Sequence, residues 1–475
     1  MKARLFAPEF RKWWTLVAVA FGLFMIMLDN TVVNVALPSI ERDLHISISE
    51  LEWVVNAYAL TFGVLLLTGG KLADLLGRRR IFMVGLVIFT ASSFFCGIAN
   101  GAGALIGART VQGVGAALMN PATLSIITAT FPQRQRGMAI GIWAGVSAMA
   151  LAIGPLVGGF ISEHWSWSWV FFINVPIGIL GLFAARIFID ETRDTSHEQR
   201  LDPLGLLTSA IALFALTYAL IEANSYGWGS GRIIGLFVVA AVFLVVFVLL
   251  ELRQRIPMLD LSLFKNVTFA GANTVMLLVG LAMFGVFFFV SLFVQNVMHY
   301  SPTEAGASFM PMTVLIVLVA APAGRLSDTI GSRWLVGIGQ VLLAVCLLLF
   351  SRLDAAADYW NLLPAMVVGG FGMALSMSPL TSSAMSAVPV AKAGVGSAVI
   401  NSMRQVGGSI GIALMGAIIA SQAVPGARVP FTVDGFQLGL EVAAAIALCG
   451  AVTAFTTLHE TDPRRAQAAA EAEAA

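Results

Sequence analysis

Charge is the scarce ingredient of this chain: Asp, Glu, Lys and Arg together supply only 11% of its 475 residues, where soluble domains carry about 25%. Hydrophobic residues make up 58% and the mean hydropathy is +0.89, which excludes a soluble globular domain and leaves a polytopic membrane protein. Cysteine is almost missing as well. Cys96, Cys346 and Cys449 lie in apolar stretches without CxxC spacing, so they read as inert core residues and not as a disulfide or metal framework. No GxxxxGK[ST] run occurs, which argues against a nucleotide partner. HExxH is missing too, which argues against a membrane-embedded metallohydrolase. No enzyme activity, cofactor or metal is expected, and a net charge of +1 gives no reason to expect nucleic acid.

What the chain does have is long apolar runs. A membrane helix needs roughly 20 mainly apolar residues, and fourteen such stretches are read. They lie near 14–37, 51–70, 81–100, 104–127, 137–160, 168–189, 204–222, 232–251, 268–296, 304–323, 334–352, 361–384, 394–420 and 436–458. The first is too long for a signal-peptide core and has no small-residue cleavage site after it, so it is expected to be span 1. Of 27 lysines and arginines, an N-terminus-inside arrangement leaves only Arg42, Arg232, Arg352 and Arg428 outside and Arg109 and Arg404 within spans; the other 21 fall inside. The positive-inside rule then puts both termini in the cytoplasm, in a plasma (inner) membrane. Trp165, Trp167 and Trp169 suit an outer aromatic belt.

An internal repeat sets the expected architecture. GKLADLLGRRR (70–80) follows span 2 and GRLSDTIGSRW (324–334) follows span 10. Gly70, Lys71, Leu72, Asp74, Gly77 and Arg79 thus match Gly324, Arg325, Leu326, Asp328, Gly331 and Arg333. Both copies face the same side, so the two units are parallel. The expected fold is an all-α membrane protein of two parallel six-helix bundles plus two inserted helices. Its parts are an N-terminal tail (1–13), a first bundle (14–189), a charged connector (190–203), an inserted pair with its connector (204–267), a second bundle (268–458) and a C-terminal tail (459–475).

Within that frame several motifs carry chemistry. Asp29 sits in an apolar run, where an ionisable group costs at least roughly 2.5–3.5 kcal/mol and so needs a partner, a cavity or a function. Counting 1.5 Å per residue from the outer ends of spans 1 and 4 puts Asp29 roughly 13 Å and Arg109 roughly 9 Å deep, so the two can be neighbours. An acid moving between dry and arginine-paired settings can bind and release a proton; a pair needed only for folding is the alternative. In the loop motif Gly70, Gly77, Asp74, Arg78, Arg79, Asp328 and Arg333 read as a conformational latch, against a purely topogenic basic loop. Gly154, Pro155, Gly158 and Gly159 in span 5 allow close helix contact. Arg404, with Asn401 and Gln405 on its face, either holds helices together or lines a cavity. Glu222 is an accessory acid near the outer end of span 7, Glu441 lies near that of span 14, and the acids beyond these are expected in loops or tails.

LDNTVVNVALP (28–38), GKLADLLGRRR, ARTVQGVGAAL (108–118), GPLVGG (154–159) and WSWVFFINVPIG (167–178), in that order, resemble the motif set of the fourteen-span drug:proton antiporters of the major facilitator superfamily, the EmrB/QacA type. The resemblance covers essentially the whole chain. It implies proton-driven export of lipophilic, often cationic compounds, with Asp29 and Arg109 coupling the proton and GPLVGG sealing a leak path between the halves. Some members carry one specific antibiotic or metabolite, and some work with a periplasmic adaptor where the cell has two membranes. A non-transporting sensor or scaffold is the alternative from another class. The chain departs from the pattern at Ser332, which stands where the first loop copy has Arg78, and at Asn56, where the family often has threonine. Asn34, Asn56, Tyr58, Gln112, Met276, Met283, Phe284, Met373, Met377, Asn401 and Arg404 are the candidates for a substrate cavity.

Overall fold

The computed structural model describes residues 8–193, 201–254, 257, 259–388, 393–422 and 432–458. Lipid offers the backbone no hydrogen-bond partner, so each apolar run satisfies its own amides as helix. The first bundle comprises α1 (Pro8–Leu44), α2 (Ile48–Leu76), α3 (Arg78–Gly97), α4 (Ala102–Thr130), α5 (Gln133–His164), α6 (Ser168–Phe172) and α7 (Asn174–Phe188). The antiparallel pair α8 (Pro203–Tyr226) and α9 (Gly231–Arg253) follows. The second bundle comprises α10 (Val267–Asn296), α11 (Pro302–Ser308), α12 (Met310–Ile330), α13 (Ser332–Phe350), α14 (Tyr359–Ser386), α15 (Ala393–Ser421) and α16 (Val433–Thr457).

Among the described residues thirteen helical stretches are long and apolar enough to cross a membrane, with α6–α7 and α11–α12 each acting as one. The 29-residue α4, interrupted by Arg109 and Gln112, is as long as these and packs against α2 and α3. The expected span ends are passed in places: α1 runs through Pro38 to Leu44.

Local chemistry sets the helix ends. Ser47 with Glu50, and Ser301 with Glu304, form capping boxes that start α2 and α11. Gly77 (φ 114°) ends α2 and Gly331 (φ 88°) ends α12, the same joint in the two copies of the loop motif. Side chains rarely adopt such angles, which explains the glycine at both.

Buried apolar side chains form one core running through both bundles, with a satellite of Leu220, Ile221 and Ala413 where α8 meets α15. The bundles touch along three seams: α1 with α10, α2 with α15, and α5 with α11 and α12. Their close contacts gather toward the face opposite Arg78–Arg80. There Gln295 donates to the Val35 carbonyl (2.9 Å), and the Thr303 amide donates to Glu163 (2.9 Å). Gly159 lies against the Pro302 carbonyl and Gly306 against the Pro155 carbonyl, contacts too close for any side chain. Toward the basic face Gly141 and Gly145 of α5 have open space beside them.

Two sequence expectations need correction. Glu52 and Glu251 lie not in loops or tails but inside helices, 4% and 3% exposed. Cys449 is exposed on α16, whereas Cys96 and Cys346 are buried. Of the three tryptophans, Trp165 and Trp169 are exposed and Trp167 is packed inward against Phe171.

Candidate functional site

Five helices converge on Asp29. It projects from the middle of α1 and is 0% exposed, and Arg109 on α4 is 1% exposed. Arg109 Nη1 donates to Asp29 Oδ2 at 2.5 Å and to Gln112 Oε1 at 2.8 Å, while its Nε donates to the Val54 carbonyl of α2 at 3.1 Å. The Tyr58 ring covers the guanidinium at 4.2 Å. Gln112, three residues along α4 and so on the same helix face, donates through Nε2 to Asp29 Oδ1 (2.9 Å) and Ser93 Oγ (3.2 Å). Asn174, at the start of α7, donates to Ser93 Oγ (2.9 Å) and Asp29 Oδ1 (3.4 Å). Ser93 in turn donates to the Phe171 carbonyl (3.0 Å).

The chemistry follows from this dryness. Two buried charges are tolerable because each meets the other and the remaining lone pairs and protons are bonded. A proton arriving on Asp29 removes the charge that balances Arg109, and the guanidinium is then held only by Gln112, a carbonyl and an aromatic face. The network thus ties Asp29 to side chains or backbone of α2, α3, α4 and α7.

The glycine motif packs on the same stretch of α1. Gly154 lies against Thr31 Oγ1, and a side chain at Gly158 would come within 2.5 Å of the Val32 carbonyl. Thr31 and Val32 are two and three residues from Asp29, so the motif touches the turn that carries the acid. Pro155 stays inside a continuous α5.

The loop motif is tied to its own bundle at Asp74–Arg80, while Lys71 reaches the Pro257 carbonyl of the connector after the inserted pair (2.6 Å). Asp74 pairs with Arg78 (2.9 Å). Glu191, just after α7, accepts from the amides of Arg79 (3.0 Å) and Arg80 (3.1 Å). Arg79 reaches the Ile189 carbonyl (3.1 Å) and the Arg78 amide bonds Thr192 (3.0 Å). Gly70 packs on Pro121. In the second copy Arg333 stacks near Trp334 (5.7 Å); the Asp328 side chain lies outside the described residues.

The candidate cavity residues divide. Gln112 and Tyr58 belong to the Asp29 network. Met276 and Met283 are 2% and 1% exposed, packed in the core and so not on an open wall in this conformation. Phe284, Met373, Met377, Asn34, Asn401 and Arg404 are half-buried, with Arg404 bonded to Asn401 (3.1 Å) and Asn34 to the Asn30 carbonyl (3.1 Å). Asn56 is fully buried, and neither its amide nitrogen nor its oxygen has a partner. Glu222 is half-buried on α8. Sequence reasoning missed Ser93, Asn174, Glu191 and Glu52. Asn174, a lone amide in VFFINVPIG, was the one with a visible signal.

Comparison with known proteins adds the lineage. The Major Facilitator Superfamily model matches residues 19–412. The puromycin resistance protein pur8 of Streptomyces alboniger is 38% identical over 452 residues, 93% of this chain and 89% of that protein. The multidrug resistance protein Stp of Mycobacterium tuberculosis is 36% identical over 410 residues, 86% and 76% of the two chains. The tetracenomycin C resistance and export protein of Streptomyces glaucescens is 35% identical over 412 residues, 87% and 77%. A solved bacterial homologue of the human lysosomal transporter Spinster, inward-facing and unoccupied, matches with a TM-score of 0.66 over 94% of this chain and 97% of that one, at 17% identity, a likeness of fold alone. Matched by the family model over most of its length and 36% and 38% identical to two such relatives over the aligned residues, the chain belongs to the Major Facilitator Superfamily and is a membrane transporter, not an enzyme.

Proposed function

We propose that the chain is a proton-coupled antiporter of the fourteen-span, EmrB/QacA type that exports lipophilic cationic compounds from the cytoplasm by alternating access. In this reading two parallel six-span units, 14–189 and 268–458, flank an inserted pair within 204–267. Both termini and the basic face lie on the cytoplasmic side of the plasma (inner) membrane.

One observation carries the reading: a fully buried acid, Asp29, whose one formal countercharge among the described residues is Arg109, on the turn of α1 against which the glycine motif packs. A proton entering and a cation leaving never load the same site with two positive charges. Protonation frees Arg109 from Asp29 and so favours one arrangement of α1, α2 and α4; substrate binding favours the other. The loop motif, held by Glu191 here, acts as the latch that lets the basic face close and reopen.

Dye efflux from cells or proteoliposomes, with and without a protonophore, tests the reading. Protonophore-insensitive efflux, or none with any dye, defeats it. A narrower export function has its own support, since relatives are named for puromycin, tetracenomycin C and methylenomycin A. A broad compound panel separates the two: one substrate class points to the narrow function, several unrelated cations to the broad one.

A further inference from the structure

The α2–α15 seam holds a second buried acid that the Asp29 network does not use. Glu52, on the first turns of α2, is 4% exposed, and its Oε2 has no hydrogen-bond partner. Its carboxyl lies flat against Gly416 of α15, where any side chain would collide with it. The helices are antiparallel, and farther along the seam Ser402 donates to the Gly63 carbonyl (3.1 Å) while Gly63 packs on Gln405. Between these contacts Asn56, Ser409 and Gln405 all bury side-chain polar atoms that lack partners. Such a strip is dry only while the two bundles stay pressed together.

Among the described residues no countercharge reaches Glu52. The inserted helix α8 closes the seam as a third wall: Asn224 bonds the Ala417 carbonyl (2.7 Å), and Trp53 stacks against Phe214 and Tyr218. The charge that α8 brings near is another acid, Glu222. The cation within α15 is Arg404, twelve residues from Gly416 and so roughly 18 Å along the axis; Arg428, beyond the end of α15, lies outside the described residues. From α4, Arg109 is bound to the Val54 carbonyl, and its charge is matched by Asp29 of α1. The cations of α3, Arg78 to Arg80, lie at the basic face, and the titratable side chain nearest its other end is Cys96. A carboxylate ion buried without a partner beside a second acid costs several kcal/mol, whereas the neutral acid is tolerated.

We propose that Glu52 is a proton-binding site that gates the α2–α15 seam: the seam closes only over the protonated acid, and its parting lets water in and the proton out. Gating then makes closure of the opposite face conditional on protons there. The proposal rests on the proton-coupled reading only for its purpose, not for its physics. Acid favours the closed seam, and rising pH opens it, the ratio changing by up to about tenfold per pH unit for one proton.

The test is a distance measurement that needs no transport. Spin labels at Ser49→Cys and Ser421→Cys, in a Cys449→Ser background, on the full chain in lipid nanodiscs report seam opening between pH 5 and 8. The wild-type seam should shift from closed to open as pH rises, and Glu52→Asp should keep that response with a displaced midpoint. Glu52→Gln and Glu52→Leu should stay closed throughout and cut turnover at least about tenfold; the leucine variant guards against a folding defect in the glutamine one. A wild-type pH response in Glu52→Gln or Glu52→Leu overturns the gate. Because Asp29→Asn should leave the seam response intact while ending uphill export, failure of the gate and failure of the antiport reading give different patterns.

Discussion

Asp29→Asn should yield a folded, membrane-inserted protein that no longer exports against a gradient. Removing one partner of a buried ion pair costs roughly 3–5 kcal/mol. Here the guanidinium keeps Gln112 at 2.8 Å, the Val54 carbonyl at 3.1 Å and the Tyr58 face at 4.2 Å. Asparagine retains an acceptor oxygen in nearly the same volume. The low end of the range, about 3 kcal/mol, is therefore expected, enough to lower the melting temperature without preventing insertion. Transport loses its drive altogether. One proton entering as one monovalent cation leaves moves no net charge, so the pH difference is the drive, and each pH unit, about 1.4 kcal/mol, sustains a cation gradient of about tenfold. Without the acid that gradient should fall to about unity, while downhill exchange of dye across the bilayer persists. Proteoliposomes with an imposed potential and pH difference, loaded with a fluorescent cation, measure both. Protonophore-sensitive accumulation by Asp29→Asn within about twofold of wild type would refute the reasoning and place the proton on another group.

Other outcomes follow from the same geometry. Ser93→Ala removes the acceptor shared by Gln112 and Asn174, and Asn174→Ala removes a donor to Asp29; each should cost about 1–3 kcal/mol of stability and alter the pH profile of efflux, and an unchanged profile in both would show that the network does not tune the acid. Gly154→Ala drives a methyl into Thr31 Oγ1 and should cut transport severely, with Thr31→Ala restoring part of it; no rescue in the double variant would mean that the damage lies elsewhere. Glu191→Ala leaves two amides of the loop motif unbonded and should slow turnover with substrate binding largely kept, which a binding assay beside a flux assay checks. Single cysteines at Ser47 and Ala427 should label from outside, and those at Gln135 and Ser196 should not; the reverse pattern overturns the orientation.

How much of this was legible beforehand depends on what each residue costs in lipid. Asp29 and Arg109 are conspicuous because ionisable groups in apolar runs need compensation, and helical rise alone puts them at similar depth; the 2.5 Å pair is where that arithmetic points. Glycine spacing in GPLVGG likewise announces a close approach, though not that its targets are Thr31, Val32 and Pro302. Ser93 and the Val54 carbonyl were invisible, because a serine in an apolar helix and a backbone oxygen have no sequence signature until a partner helix arrives. Glu52 hid for another reason. Following the cap residues Ser47 and Glu50, it reads as one more surface acid at a helix start, and only the docking of α15 through Gly416 buries it. That Met276 and Met283 lie packed in the core here could not be read beforehand, because composition says how many flexible side chains exist, not which way a helix is turned.

The glycine contacts also bear on how such a protein can change. Where Gly154 and Gly158 meet α1, and Gly159 and Gly306 meet the facing backbones, there is no volume into which a new side chain can be added. Drift at those positions is closed off, whatever the substrate. The half-buried Met373 and Met377 stand in none of these glycine contacts. A lineage built this way can explore new cargo by exchanging side chains around the ligand while the sliding surfaces stay fixed, so selection for resistance to a new compound should leave its marks on the former and spare the latter.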